Sequence, residues 1–225
     1  MFNDNVGLTE LVMEKVKKMT RRVEKKVQKF IEEYEKKHNR PFEIVKQEII
    51  MQGTPENHGY GYLHITTSDG NEFIPTTYKV GEVVAIAESY EKIEMSFLDY
   101  SDKTFTKKKV PLWGNAKTMK GYHNKMFVRA DMMPHHIKIT NMRLERLQDI
   151  SHLDCLKEGI LDEGCGDNCS DFSYECSPCF DYIGNMCDGF DTPRKAFASL
   201  IDKVSGKGTW DSNPWVVVYS FELLD

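Results

Sequence analysis

Apolar positions at 8, 11, 12, 16 and 19 in LTELVMEKVKKM recur at helical spacing, and they predict a helix over 8–19 with Thr9 as its N-cap. A second stripe at 23, 27, 30, 31 and 34 predicts a helix over 23–38, closed by Asn39-Arg40-Pro41. Residues 42–51 are β-branched and mixed, and they read as a strand. Residues 59–66 and 71–75 flank Ser68-Asp69-Gly70, which is the pattern of a hairpin. A buried strand is expected over 80–90, and an alternating strand over 136–148. Ser151 and Gly159 bracket a short helix at 152–158. Thr192-Pro193 opens a helix running to about 204, and residues 214–224 form a last apolar strand. Many strands joined over long range, with few helices, predict an α+β chain built on a barrel or curled sheet.

Composition adds a usable core. Hydrophobic residues are 40% of the 225 and charged residues 29%, which argues against global disorder. The longest wholly apolar run, Trp215–Tyr219, has five residues, against about 20 needed to span a bilayer. The N-terminus lacks the basic start and apolar stretch of a signal peptide, so a cytoplasmic protein without membrane partners is expected. The net charge of −5 excludes a uniformly basic coat. Charge is nonetheless segregated. Residues 1–40 carry eleven Lys/Arg against seven Asp/Glu, and 107–146 carry ten against two. Residues 151–191 carry ten Asp/Glu against Lys157 alone.

All six cysteines lie between 155 and 187. Cys165, Cys169, Cys176 and Cys179 supply two close pairs with spacing suited to tetrahedral zinc, and a metal would organise a polar 161–191 insertion that has little core of its own. Free thiols in a flexible acidic loop are the alternative, and the insertion could also dock a basic protein partner.

Five blocks together resemble one family. His136–Gly159, HIKITNMRLERLQDISHLDCLKEG, is similar to the strand-helix core of the ASCH family, a PUA-like group. Met19–Val23 (MTRRV), Tyr78–Tyr90 (YKVGEVVAIAESY), Asn124–Ile137 (NKMFVRADMMPHHI) and Pro193–Leu224 match further blocks in the family's order, covering about half the chain. The nearest likeness is to the larger ASCH-type proteins common in phage and prophage genomes. The resemblance implies a single PUA-like β-barrel with flanking helices, an extended N-terminal helical region, an insertion at 23–78 and the Cys-rich insertion at 161–191.

It also implies two activities. Many ASCH and PUA-like domains are regarded as RNA-binding modules, and a small group hydrolyses the N4-acyl amide of acetylated cytidine with a Lys, a Thr and a Glu. The family's G-x-K-T-x-T-x-R motif falls on Lys15–Arg22, with Lys17 on the lysine and Thr20 on the second threonine. Lys15 stands in place of the glycine and Lys18 in place of the first threonine. The acid maps onto Glu158. A threonine hydroxyl needs a proton acceptor to become a nucleophile, and a lysine of depressed pKa can serve. On a continuous helix, Lys17 and Thr20 would share one face.

The binding alternative, an RNA or modified-nucleoside protein, uses the same neighbourhood. Arg21 and Arg22 would clamp phosphate. Lys125, Arg129 and Lys138 would extend a basic face. Tyr90, Trp113 and Tyr122 offer rings for stacking. Met133, Pro134, His135 and His136 would line the pocket mouth. Glu88, at a strand end, would accept from a base edge, or simply pair with an arginine such as Arg22.

Overall fold

A computed structural model describes residues 7–52, 59–93, 120–164, 179–183 and 189–224. They divide between two compact units. One comprises the described residues within 3–83 and 138–223, and the other those within 84–137 together with Leu224. The chain is α+β with antiparallel sheets. Among the described residues these sheets do not close into a barrel, and no helix is long and apolar enough to cross a membrane.

Helix α1 (Leu8–Met13) stops well short of residue 19. Its N-cap is Gly7 at φ 62°, not Thr9, which is buried inside the first turn. Lys15, at φ 60°, turns the chain back, and the amides of Val16 and Lys17 both donate to the Leu11 carbonyl. The chain then extends into strand β1 (Met19–Arg22), which pairs antiparallel with the last strand, with Met19 opposite Ser220 and Arg22 opposite Val217. The expected helix over 8–19 is therefore helical only over 8–13, and the chain turns before strand begins at Met19. Its apolar spacing suits a helix, but pairing with the largely apolar last strand offers Met19 and Arg21 a buried face that a free helix end lacks.

Helix α2 (Lys25–His38) forms as its stripe predicts, burying Val27, Ile31 and Tyr34 and ending at Asn39 in the left-handed region. Strands β2 (Lys46–Gln52), β3 (Tyr60–Thr67) and β4 (Gly70–Phe73) make one antiparallel sheet in that order, and the hairpin over Ser68-Asp69 is as expected. Strand β5 (Val83–Ala85) is shorter than the predicted 80–90, because residues 86–89 leave the sheet and a helical turn begins at 90.

Strand β6 (His136–Arg146) alternates as expected, except that the buried face slips by one residue at Thr140-Asn141. It is followed by helix α3 (His152–Lys157), where the Ser151 hydroxyl accepts from the Asp154 amide at 3.1 Å. The four-stranded sheet runs β1-β9-β6-β5, with β9 being Trp215–Leu223.

Two short strands, β7 (Leu161–Gly164) and β8 (Cys179–Asp181), pair at the flanks of the acidic segment, where no periodicity predicted them. Helix α4 (Pro193–Ser205) starts at its Thr192 cap, and α5 (Thr209–Ser212) leads into β9. In this unit Phe197 of α4 is buried, with Trp210 edge-on at 6.2 Å. The core of the 84–137 unit is Tyr90, Ile93, Tyr122 and Met133.

Candidate functional site

Burial alternates along 17–22. Lys17, Met19 and Arg21 are buried, while Lys18, Thr20 and Arg22 are not. Extended chain sends neighbouring side chains to opposite faces, so β1 sends Arg21 inward and Thr20 to the other side. Thr20 is registered opposite Tyr219 of β9. The tyrosine hydroxyl donates to Glu24 at 2.7 Å and accepts from the Thr77 and Tyr78 amides at 3.1 and 3.3 Å. Burial and the Glu24 carboxylate push its phenol far upward, so it stays protonated. Lys17 and Thr20 thus do not share a helix face, contrary to the expectation from their spacing.

The inward face carries a chain of opposite charges. Lys17 Nζ donates to the Glu158 backbone carbonyl at 2.6 Å and to Glu158 Oε2 at 2.8 Å. Their side chains are 2% and 5% exposed. Glu158 Oε1 accepts from Arg21 Nη1 at 3.0 Å. Arg21 continues through Nε and Nη2 to Glu145 Oε1 at 2.9 and 2.6 Å, and through Nη2 to Asp154 at 3.3 Å. Arg143 closes the far side, reaching Glu145 Oε2 and Asp154 Oδ2, each at 2.6 Å. Three cations and three carboxylates alternate, so each charge of the cluster faces an opposite one.

Each residue has a local reason to be there. Asp154 and Glu158 stand four apart on α3 and its C-cap, and hence on one face. Arg143 and Glu145 are two apart on β6 and share a sheet face. Gly159, at φ 102°, lets the chain leave α3 beside the lysine. A Cβ there would lie 2.9 Å from Leu11 Cδ1 and 3.8 Å from Lys17 Cδ.

The electrostatics follow from this packing. Loss of water, with the Arg21 charge adding to it, lowers the Lys17 pKa against the opposing pull of Glu158. Burial also acts to lower Arg21, but Glu158 and Glu145 outweigh it and the net direction is up. Asp154 is raised by burial but held below its ordinary value by Arg143 and Arg21. Cys155, buried in α3, has its thiol pushed up to about 12 by desolvation, so it is an inert core residue.

The sequence-predicted residues divide accordingly. Lys17, Arg21 and Glu158 meet. Arg22 is half-buried on the opposite face of β1 from Arg21, its guanidinium 5.5 Å over the Tyr78 ring. Glu88, Tyr90, Lys125, Met133, Pro134 and His136 belong to the 84–137 unit. There Tyr90 is not a stacking platform: it is buried in the core beside Tyr122, and its hydroxyl accepts from the Arg129 amide at 3.0 Å. Met133 is in the same core, with its sulfur accepting from the Glu88 amide at 3.3 Å. Glu88 is buried with Lys92, a cation of its own unit, at 3.9 Å. Lys125, Pro134 and His136 are half-buried. Arg129 is held by Asp131 at 2.7 Å.

Trp113 and the zinc candidates Cys165, Cys169 and Cys176 lie outside the described residues. Cys179 starts β8 and is half-buried. Among the described residues no group of three His, Cys, Asp or Glu side chains is arranged to hold a metal.

Sequence reasoning missed Arg143, Glu145 and Asp154. The signal available was the Arg-x-Glu pair on an alternating strand, and an acid four residues before Glu158 on a capped helix. Comparison with protein-family models, curated proteins and solved structures found no match to this chain.

Proposed function

We propose that this chain binds RNA or a modified nucleoside, with its ligand centre at the Lys17–Glu158–Arg21 cluster. One observation carries the reading: a lysine removed from water, its pKa lowered, held by a carboxylate that it shares with a buried arginine. Ionisable groups perturbed in this way concentrate at functional sites. Hydrophobic replacements of a buried ion cluster are often equally stable, so stability alone does not call for one. The half-buried Arg143, with Glu145 and Asp154, is the water-facing side of the cluster. It offers guanidinium donors and carboxylate acceptors together, which is the chemistry that reads a base edge. Arg22, half-buried on the opposite face of β1 from Arg21, would supply a phosphate contact.

The PUA-like barrel of the ASCH resemblance belongs to this reading. It is supported by Lys15, which has the left-handed φ of 60° that glycine adopts without strain, at the position where the resembled motif carries glycine.

The test is calorimetric titration of cytidine and N4-acetylcytidine into wild type, Lys17→Met and Arg143→Gln, with product analysis of the same mixtures. Binding without turnover, weakened in both variants, is the expected result. No binding of either nucleoside to wild type refutes the reading. The direction of the lysine pKa, lowered by burial, also favours a second reading, hydrolysis of the acyl amide with Lys17 accepting the proton. Turnover lost in both Lys17→Met and Thr20→Ala would establish it in place of simple binding.

A further inference from the structure

The β2–β3–β4 sheet has two faces. Gly61, Leu63, Ile65 and Thr67 of β3 point to the core, and all are buried. Tyr60, Tyr62, His64 and Thr66 point to the other side. The register places Gln52 opposite Tyr60, Ile50 opposite Tyr62, and Phe73 and Glu48 beside His64. This outer face is aromatic and open: Tyr60 is 42% exposed and Phe73 48%. Tyr60 and Tyr62 stand two residues apart on one strand, about 7 Å.

Three features indicate what would cover this face. The Lys79 ammonium lies 5.4 Å from the Tyr60 ring centre and 4.8 Å from that of Tyr62, and it forms no ion pair among the described residues. By contrast Lys46, on the same face, is neutralised by Glu48 at 2.6 Å. The His64 ring packs on Phe73 at 5.0 Å and is nine-tenths buried, with its Nδ1 3.5 Å from Glu48 Oε1. A charged amine among exposed rings suits a partner that brings flat faces and negative charge together.

We infer that the outer face of this sheet is a binding platform for single-stranded RNA. Tyr60, Tyr62 and Phe73 stack unpaired bases, and Lys79 meets a backbone phosphate. Thr66, Asn71 and Gln52 supply hydroxyl and amide groups for the ribose 2′-OH on the same face. The platform is separate from the Lys17 centre and does not depend on it.

The experiment titrates the full chain with a labelled uridine dodecamer, followed by anisotropy. Tyr60→Ala/Tyr62→Ala lowers affinity at least about 30-fold, while Tyr60→Phe/Tyr62→Phe stays within about threefold of wild type. Lys79→Gln reduces the slope of log affinity against log salt by about 0.7. Binding of cytidine alone is unchanged in these variants, which separates this platform from the Lys17 centre. Thermal melts confirm that each variant is folded. The inference is overturned if wild type does not bind the dodecamer, or if the alanine pair binds it undiminished. A deoxythymidine dodecamer bound as tightly as the uridine one also overturns it. So does a wild-type dimer in sedimentation that the alanine pair dissociates, which would assign the face to a second copy of the chain.

Discussion

Replacing Glu158 with glutamine removes the one carboxylate that touches both Lys17 and Arg21. Arg21 keeps Glu145 and Asp154. Lys17 keeps only the backbone carbonyl of residue 158. At 2.8 Å the lost attraction is about 6 kcal/mol for an effective dielectric of 20, before desolvation is counted. Breaking a buried pair from one side costs about 3–5 kcal/mol in practice.

Lysine also has an exit. By releasing its proton at about pH 7 it caps the cost near 5 kcal/mol, since its ordinary value is 10.5 and each unit is about 1.4 kcal/mol. Glu158→Gln is therefore expected to destabilise by about 3–5 kcal/mol near neutral pH. The sign of its pH dependence follows from proton counts. Without the Glu158 attraction the folded Lys17 pKa falls further below its ordinary value than in wild type, so the unfolded variant binds more protons than the folded one and its stability rises with pH. The gap to wild type then closes by up to about 1.4 kcal/mol per pH unit on the way to 10.5.

Urea unfolding of both proteins at neutral and mildly alkaline pH measures this, because groups common to both cancel in the difference. Adding Lys17→Met to Glu158→Gln should recover part of the loss and abolish the slope. A loss below about 1 kcal/mol, or a gap that does not move with pH, would refute the buried-pair account.

Two further outcomes follow from the same geometry. Lys15→Gly places glycine at φ 60° and is expected to stabilise by about 0.5–1 kcal/mol, the strain relieved exceeding glycine's extra unfolded freedom; a lowered urea midpoint would contradict it. Asp154 has a folded pKa below its ordinary 3.8, so its contribution is present above that value and is lost as pH falls through the folded one. Asp154→Asn should accordingly lower the melting temperature at neutral pH, and the difference from wild type should shrink on acidification; a difference independent of pH would count against the Arg143–Asp154–Arg21 contacts.

The elements legible in the sequence were those with local signals at both ends. Helix α3 has its Ser151 cap and Gly159 stop, α4 its Thr192-Pro193 start and Gly206 end, and α2 an uninterrupted stripe closed by Asn39. The hairpin over Ser68-Asp69 follows from its turn residues, strand β6 from period-two patterning and β9 from its apolar run. The first segment misled because 8, 11, 12, 16 and 19 satisfy a helical period while the last of them lies in a strand. Apolar spacing does not register that a partner strand waits two hundred residues away.

For the site, the resemblance singled out Lys17, Arg21 and Glu158, and chain order alone does not join them. Lys17 and Glu158 are 141 positions apart, and they meet only because β1 extends instead of coiling and α3 ends beside it. The same pairing sends Thr20 to the other face, and packing within 84–137 buries Tyr90 and Met133, whose residue types suit stacking as well as a core. What the sequence determined by itself was local conformation, through caps, turn residues and periodicity that act within a few positions. What tertiary structure decided was which buried charges face each other and which rings face water, because both depend on contacts between segments that carry no record of one another in their own composition.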